Sequence, residues 1–366
     1  MNRKLLLYFG HPAQFMMLRQ SIKILKQKDW QIKIIIKTKD VLETLLKDSG
    51  FEYQNILQQV RSDNLFSIFT AVLKRDIKML RIVRKFRPDL MVGTDPSIAH
   101  IGWLLNIPAI TIVEDDHMVI KNLVRLTYPF TTNILCPEVC QVGKYDKKKI
   151  GYAGYMKLGY LHPKVFTVNE EITKSYQLPD RFVLIRLSAL NAYHDKGIGG
   201  IDSQILDKIL NICLLNDYEV KISSEFALEE RYEKFRLKIR IVDMHHVLYA
   251  ATLLVSDSQS MSVEASVLGI PNIRFSGFAG RISVLEELEH KYDLSFGIPA
   301  NQKEELFRKL ENLLQEQNLK DKFREKKEKM LAEKINLTAF LSWFIEDYPQ
   351  SVHKLETDKE FQFNFR

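Results

Sequence analysis

The feature that most constrains this chain is an alternation that runs, breaks off and starts again. LLLYF (5–9), IKIIIK (32–37), DLMVGTD (89–95), AITIVED (109–115) and TNILCPE (132–138) are short apolar runs with strand character. Helical spacing fills residues 13–26, 40–48 and 65–86 and the segment SIAHIGWLL. Strands that are apolar along their whole length are buried on both faces. With a helix after each one, the expected arrangement is a parallel sheet covered on both sides. A looser segment rich in Gly, Tyr and Lys, KKKIGYAGYMKLGYLHPKVFTV, interrupts the pattern.

The pattern then restarts with FVLIRLS (182–188), a helix over 201–215, YEVKISS (218–224), RLKIRIV (236–242) and a helix over 243–251. TLLVSD (252–257), a helix from Met261 and PNIRF (271–275) follow. Leu306, Leu310, Leu313 and Leu314 mark a further helix, and FLSWFIEDY (340–348) another before a polar tail. A chain of 366 residues exceeds what one core organises, in keeping with two units. The expected fold is α/β with two Rossmann-like, doubly wound domains over 1–160 and 161–335. Residues 336–366 form a helix and tail returning to the first domain, and the cleft between domains is the default binding site.

Several classes are disfavoured. There is no G-x-G-x-x-G after a strand, no G-x-x-x-x-G-K-[ST] and no D-x-D. Any phosphate must therefore be held by helix N-termini and hydroxyls. Cys136, Cys140 and Cys213 form no disulfide framework or zinc pattern and are expected to be reduced and buried. The longest early apolar run is too short for a signal core, and nowhere does a membrane-spanning stretch occur. A cytoplasmic protein is the expectation.

Four places carry candidate chemistry. In SDSQSMSVEASVLGIP the turn after TLLVSD places Ser258, Gln259, Ser260 and Met261 at a helix start. Free N–H groups and hydroxyls there suit a diphosphate, with Glu264 one turn on to accept from ribose hydroxyls. An ordinary helix cap explains the same serines. The turn NAYHDKGIGGID offers Gly197, Gly199 and Gly200 for close backbone approach, with Arg186 and His194 as cationic or proton-transferring groups. A plain flexible loop is its alternative. Asp95 and Glu114 end neighbouring strands and could share acid–base work, although Asp is also a common cap. The Asp115-Asp116-His117 run is a weaker candidate for metal. His11, after the first strand, faces the same crevice, although a lone histidine in a turn is usually structural.

In order along the chain, these segments resemble the UDP-N-acetylglucosamine 2-epimerases and the wider GT-B nucleotide-sugar superfamily, over roughly residues 1–350. VGTDPSIAHIGWLLNIPAITIVEDD resembles the epimerase segment that carries catalytic carboxylates, which fall here on Asp95 and Glu114. Asp116 is the nearest match to a further one. RLTYPFTTNILCPE, with Arg125, resembles the next helix and strand of that family, and His194 stands near the family's catalytic histidine. SDSQSMSVEASVLGIPNIRF resembles the nucleotide-binding segment, with Ser258 at its phosphate-binding serine, Glu264 at its ribose-binding glutamate, and Arg274 just beyond. Gln259 and Ser260 stand where that pattern has paired glycines, and Val263 replaces the first of its two glutamates. The arrangement is closer still to an uncharacterised GT-B-like family linked to surface-polysaccharide genes.

The resemblance implies an enzyme that epimerises or hydrolyses a UDP-N-acetylhexosamine in polysaccharide biosynthesis, without metal or other cofactor. A metal-independent glycosyltransferase with a saccharide or lipid-linked acceptor is the alternative, and a non-catalytic nucleotide-sugar-binding protein the third. The net charge of +7, from 53 basic and 46 acidic residues, permits anionic partners without choosing among them. Residues 65–87 concentrate it: Lys74, Arg75, Lys78, Arg81, Arg84, Lys85 and Arg87 against Asp76, behind Leu65, Phe66, Ile68 and Phe69. Peripheral contact with the inner face of a membrane competes there with a solvated helix packed on the sheet. Nucleic acid is not expected, for want of a recognition motif. A homodimer is left open.

Overall fold

A computed structural model describes residues 3–37, 41–57, 65–188 and 199–366, with the side chains of 57 and 65–71 outside that description. The chain forms two compact units, residues 1–165 with 334–366, and residues 166–333. The first unit takes in the whole of KKKIGYAGYMKLGYLHPKV, a few residues beyond 160.

The first unit runs β1 (Lys4–Phe9), α1 (Pro12–Gln27), β2 (Gln31–Lys37), α2 (Leu42–Asp48), β3 (Gln54–Leu57), α3 (Leu65–Phe86), β4 (Leu90–Gly93) and α4 (Pro96–Leu105). It continues with β5 (Ala109–Ile112), α5 (Lys121–Thr127), β6 (Asn133–Pro137), β7 (Lys149–Tyr152) and α6 (Leu158–Leu161). The seven strands are parallel in the order β3-β2-β1-β4-β5-β6-β7. The runs LLLYF and IKIIIK become β1 and β2 because their apolar residues pack against helices on both faces. Leu6, Tyr8, Ile35 and Met91 share one core cluster with Met79 and Val83 of α3 and Ile98 and Ile101 of α4. Gly93 is fixed by close approach: a Cβ there would stand 2.8 Å from the Tyr8 carbonyl oxygen on the neighbouring strand.

The second unit runs α7 (Glu170–Ser175), β8 (Phe182–Leu187), α8 (Ser203–Leu215), β9 (Glu219–Ser224), α9 (Met244–Ala250), β10 (Leu253–Ser256) and α10 (Gln259–Leu268). β11 (Asn272–Phe275), α11 (Ser283–Glu286), β12 (Phe296–Ile298), α12 (Lys303–Gln315) and α13 (Leu319–Glu333) complete it. Its five strands are parallel in the order β12-β11-β10-β8-β9.

At Lys334 the chain returns to the first unit, where α14 (Leu337–Glu346) packs on α1. Ser21 Oγ donates to the Thr338 carbonyl at 3.2 Å, and Thr338 Oγ1 to the Gly159 carbonyl at 2.7 Å. Phe340, Trp343, Phe344, Phe361 and Phe365 form an aromatic cluster there. The stretch after residue 348, read as a polar tail, is α15 (Gln350–Thr357) followed by a 3-10 helix.

Three other local readings are corrected. RLKIRIV is not a strand: a single bridge joins Arg236 to Ile222, and the run ends in a 3-10 turn at Ile241–Asp243. None of its apolar residues is fully buried and Ile241 is exposed, so it lacks the packing that makes a strand. The helix expected from Met261 starts at Gln259. The Gly-, Tyr- and Lys-rich segment contributes β7, whose alternating burial marks an edge strand with one face covered. Among the described residues no helix is long and apolar enough to cross a membrane. All three cysteines are free and buried, and burial pushes the Cys136 and Cys213 thiols up to about 12.

Candidate functional site

In an open parallel sheet, loops leave in opposite directions where the strand order reverses, and this opens a crevice at the carboxyl ends of the two central strands. In the second unit that point lies between β8 and β10. Ser188 follows one strand, and Ser256, Asp257 and Ser258 end and follow the other.

The serines of the β10–α10 turn divide into distinct roles. Ser256 is buried, and its hydroxyl accepts from Ser258 N at 2.8 Å, shaping the turn. Ser258 caps α10, its Oγ accepting from Met261 N at 3.3 Å. Ser262 and Ser266, both buried, donate back to the carbonyls of Ser258 and Ser262. The first bond of helical spacing runs from Ser262 N to Ser258 O, at 3.3 Å. The N–H groups of Gln259 and Ser260 are thus left without a partner among the described residues, at the positive end of the helix dipole.

Gln259 and Arg274 explain how this end stays open without glycines. The Gln259 side chain folds inward: its Oε1 accepts from Arg274 Nη1 at 2.7 Å and its Nε2 donates to Ser276 Oγ at 2.8 Å. Arg274 is fully buried on β11 and pairs through Nη2 with Glu289 at 2.7 Å. Burial raises Glu289 above the usual carboxylate range even beside that guanidinium. Gly297 makes room for the pair, since a Cβ there would lie 2.5 Å from a Glu289 oxygen. Expected to touch substrate, Arg274 instead acts on the turn through Gln259.

Asp257, which carries no motif in the sequence, sits at the same edge. Its Oδ1 accepts from Ser188 N at 2.7 Å, and burial pushes its carboxyl up to about 6 against hydrogen bonds from Ser188 and the Ile201 N–H. Glu264 lies partly exposed on α10, 3.4 Å from His245 Nε2 on α9. Arg186, at the end of β8, donates to Ser223 Oγ at 2.7 Å and pairs with Glu225, so it braces the β8–β9 edge. Gly199 is exposed, and its carbonyl accepts from Gly277 N at 3.4 Å. His194 and Gly197 lie outside the described residues.

In the first unit the order reverses between β1 and β4. His11 caps α1 after β1, its Nδ1 accepting from Ala13 N at 3.2 Å, which leaves the neutral ring's proton on Nε2. Asp95 caps α4 after β4: Oδ1 accepts from Ser97 N at 3.0 Å and Ser97 Oγ at 2.8 Å, and Oδ2 pairs with Arg75 of α3. Beside them the Tyr8 hydroxyl is buried without a partner among the described residues, and burial raises its pKa strongly.

Glu114 follows β5, the strand next to β4. Its Oε1 accepts from Met156 N at 2.5 Å and its Oε2 pairs with the buried Lys157. Sequence reasoning places both carboxylates at one sheet edge, and so does the structure, but each is held by its own cation and not by the other. The sequence singles out neither Arg75 nor Lys157 for these roles. Arg75 reads as one charge among seven, and Lys157 lies in the looser segment that interrupts the strand–helix pattern. Asp116 is buried and its Oδ1 accepts from Gln141 N at 2.7 Å, which fixes the loop after β5 against the loop after β6. His117 donates its N–H to the Gln141 carbonyl at 2.8 Å, so this pair serves the loop.

Comparison with solved structures places the fold. The Neisseria meningitidis UDP-GlcNAc 2-epimerase bound to UDP-GlcNAc superposes with a TM-score of 0.66 at 13% identity, covering 94% of this chain and 98% of that one. The Methanocaldococcus jannaschii UDP-GlcNAc 2-epimerase in complex with UDP-GlcNAc and UDP gives 0.62 at 15%, covering 90% and 99%. The spinosyn rhamnosyltransferase SpnG, complexed with spinosyn aglycone, gives 0.61 at 13%, covering 93% and 99%. At these identities the likeness establishes the GT-B fold of two Rossmann-like domains. Comparison with curated proteins finds no match. The sequence profile of DUF354, described as a protein of unknown function, matches residues 11–329, and the chain belongs to that family.

Proposed function

We propose that the chain is a nucleotide-sugar enzyme acting on a UDP-N-acetylhexosamine, with epimerase-like or hydrolysing chemistry at the sugar, in cytoplasmic polysaccharide biosynthesis. The observation that carries this reading is the β10–α10 turn. It stands at the reversal of strand order, with two N–H groups unpartnered among the described residues, the Ser258 and Ser260 hydroxyls, and Glu264 one turn further on. That array suits a diphosphate followed by a ribose, and it needs no metal to offset the phosphate charge. Two of the fold's neighbours were solved with UDP-GlcNAc or UDP, which supports the same ligand here.

In this reading Asp95 and Glu114 move protons on the sugar, and His194 serves the departing phosphate. Elimination of UDP needs a base at the sugar and a stabiliser for the leaving charge. Within the second unit the α10 N-terminus offers the second.

A second reading follows from the ion pairs. With Asp95 on Arg75 and Glu114 on Lys157, both carboxylates have their strongest acceptor positions occupied. This favours transfer of the sugar to a saccharide or lipid-linked acceptor. Incubation with a panel of UDP-sugars, with and without acceptors and with EDTA, separates the readings by mass spectrometry. Epimerised or free sugar without acceptor, unaffected by EDTA, supports the first, and UDP release only with acceptor supports the second. Failure of every UDP-sugar to bind would refute both.

A further inference from the structure

The outer faces of α3, α4 and α5 form a surface that the functional reading leaves unused. Met79 and Val83 turn one side of α3 into the core, so the opposite side faces solvent. That side presents Leu73 (51% exposed) and Ile77 (44% exposed). On α4, Ile98 and Ile101 face the core, while Trp103 is 66% and Leu104 56% exposed.

His100 joins the three helices. One ring nitrogen lies 2.9 Å from Asp76 on α3 and the other 2.7 Å from the carbonyl of Leu126 at the end of α5. Trp103, one turn beyond His100, meets the ring of Phe130 at 5.6 Å between centroids. Leu126 is itself exposed. These contacts set the three helices side by side, with their exposed apolar side chains outside the core. Exposed tryptophan and leucine grouped in this way mark a surface that meets something.

Charge selects the partner. Lys74, Lys78, Arg81, Arg84 and Lys85 on α3 and Lys121 and Arg125 on α5 are all exposed. The acidic residue on these three helices is Asp76, and His100 occupies it. A second copy would bring this basic surface against itself, so self-association is opposed by like charge. Apolar side chains at the centre of a basic field match the interface of an anionic bilayer. There lysine and arginine meet headgroups while tryptophan and leucine enter the acyl boundary.

We infer that the α3–α5 face docks the first unit on an anionic membrane surface, with Trp103 and Leu104 as the inserted residues. The inference is independent of the proposed reaction. It is tested by flotation of the full chain with vesicles of phosphatidylglycerol and phosphatidylcholine, against vesicles of phosphatidylcholine alone.

Binding to the anionic vesicles only is expected, weakened about tenfold or more by Lys74→Glu with Arg81→Glu, and also by raised salt. Trp103→Ser with Leu104→Ser is expected to lower binding to a similar extent. Both variants change exposed side chains, and circular dichroism and melting temperature should match the parent. Absence of binding, equal binding to both vesicles, or insensitivity to either variant overturns the inference. So does a dimer, measured by sedimentation, that Trp103→Ser with Leu104→Ser converts to monomer.

Discussion

Arg274 Nη1 donates to Gln259 Oε1 across 2.7 Å, and this bond settles where the first side chain of α10 lies. A glutamine at the start of a ligand-binding helix would ordinarily stand in front of the N–H groups. Here it is drawn back toward β11, and the helix end keeps the access that glycine would give.

The comparison of Gln259→Gly with Gln259→Leu tests this role. Glycine removes the side chain, and UDP affinity should stay near that of the parent. Leucine cannot accept from Arg274, is freed to swing outward, and should weaken UDP by about tenfold, the scale of one lost hydrogen bond. Calorimetric titration measures both. Equal losses in the two variants would mean that Gln259 contacts the ligand itself.

The Glu114–Lys157 pair is nearly buried, with side chains 11% and 5% exposed, and should show the asymmetry of such pairs. Lys157→Met leaves the Glu114 carboxylate with the Met156 N–H as its remaining partner, and should cost about 3–5 kcal/mol in urea unfolding. Adding Glu114→Gln should recover much of that loss. If the double variant is no more stable than Lys157→Met, the pair does not set the stability of this edge.

Asp257 gives a pH dependence whose sign is fixed. Burial raises its folded-state carboxyl from 3.8 to about 6, so the folded chain holds the proton more tightly than the unfolded chain does. Stability from this group is therefore greatest below the unfolded value, falls between about pH 4 and 6, and stays low above that window. Asp257→Asn keeps an acceptor for Ser188 N without a charge. Its stability relative to the parent should rise across that window by up to about 3 kcal/mol. Chemical denaturation at pH 4 and pH 7 reads the difference, and a pH-independent difference would show that Asp257 is not buried as described.

How legible each element was in the sequence depends on what its residues do for the fold. LLLYF and IKIIIK announce strands because both their faces are covered, and apolar continuity records that directly. β7 was hidden because an edge strand buries one face only, and its Gly, Tyr and Lys composition reads as a connector. RLKIRIV misled for the opposite reason: its period-two pattern is that of a half-buried strand, yet one bridge is all the pairing it has. At the site, Asp95, Glu114 and Ser258 could be placed because they follow strands directly. Arg75, Lys157 and His245 could not, since their roles depend on which helix or loop comes to lie beside a carboxylate. That is a tertiary fact with no local spacing to signal it.

Glu264 and Ser258 should divide the nucleotide between them. Ser258 shapes and caps the helix end proposed for the diphosphate, whereas Glu264 lies a turn and a half further along α10, partly exposed beside His245. A carboxylate there can accept from ribose hydroxyls, and hydrogen bonds to a charged group are worth about 1.5–3 kcal/mol. Glu264→Ala should thus weaken UDP by about ten- to a hundredfold while leaving inorganic pyrophosphate unchanged. Ser258→Ala should weaken both ligands, because it loosens the turn that presents the N–H groups. Competition titrations with UDP, 2′-deoxy-UDP and pyrophosphate make the comparison. If Glu264→Ala lowers pyrophosphate affinity as much as UDP affinity, Glu264 supports the turn and the ribose is held elsewhere.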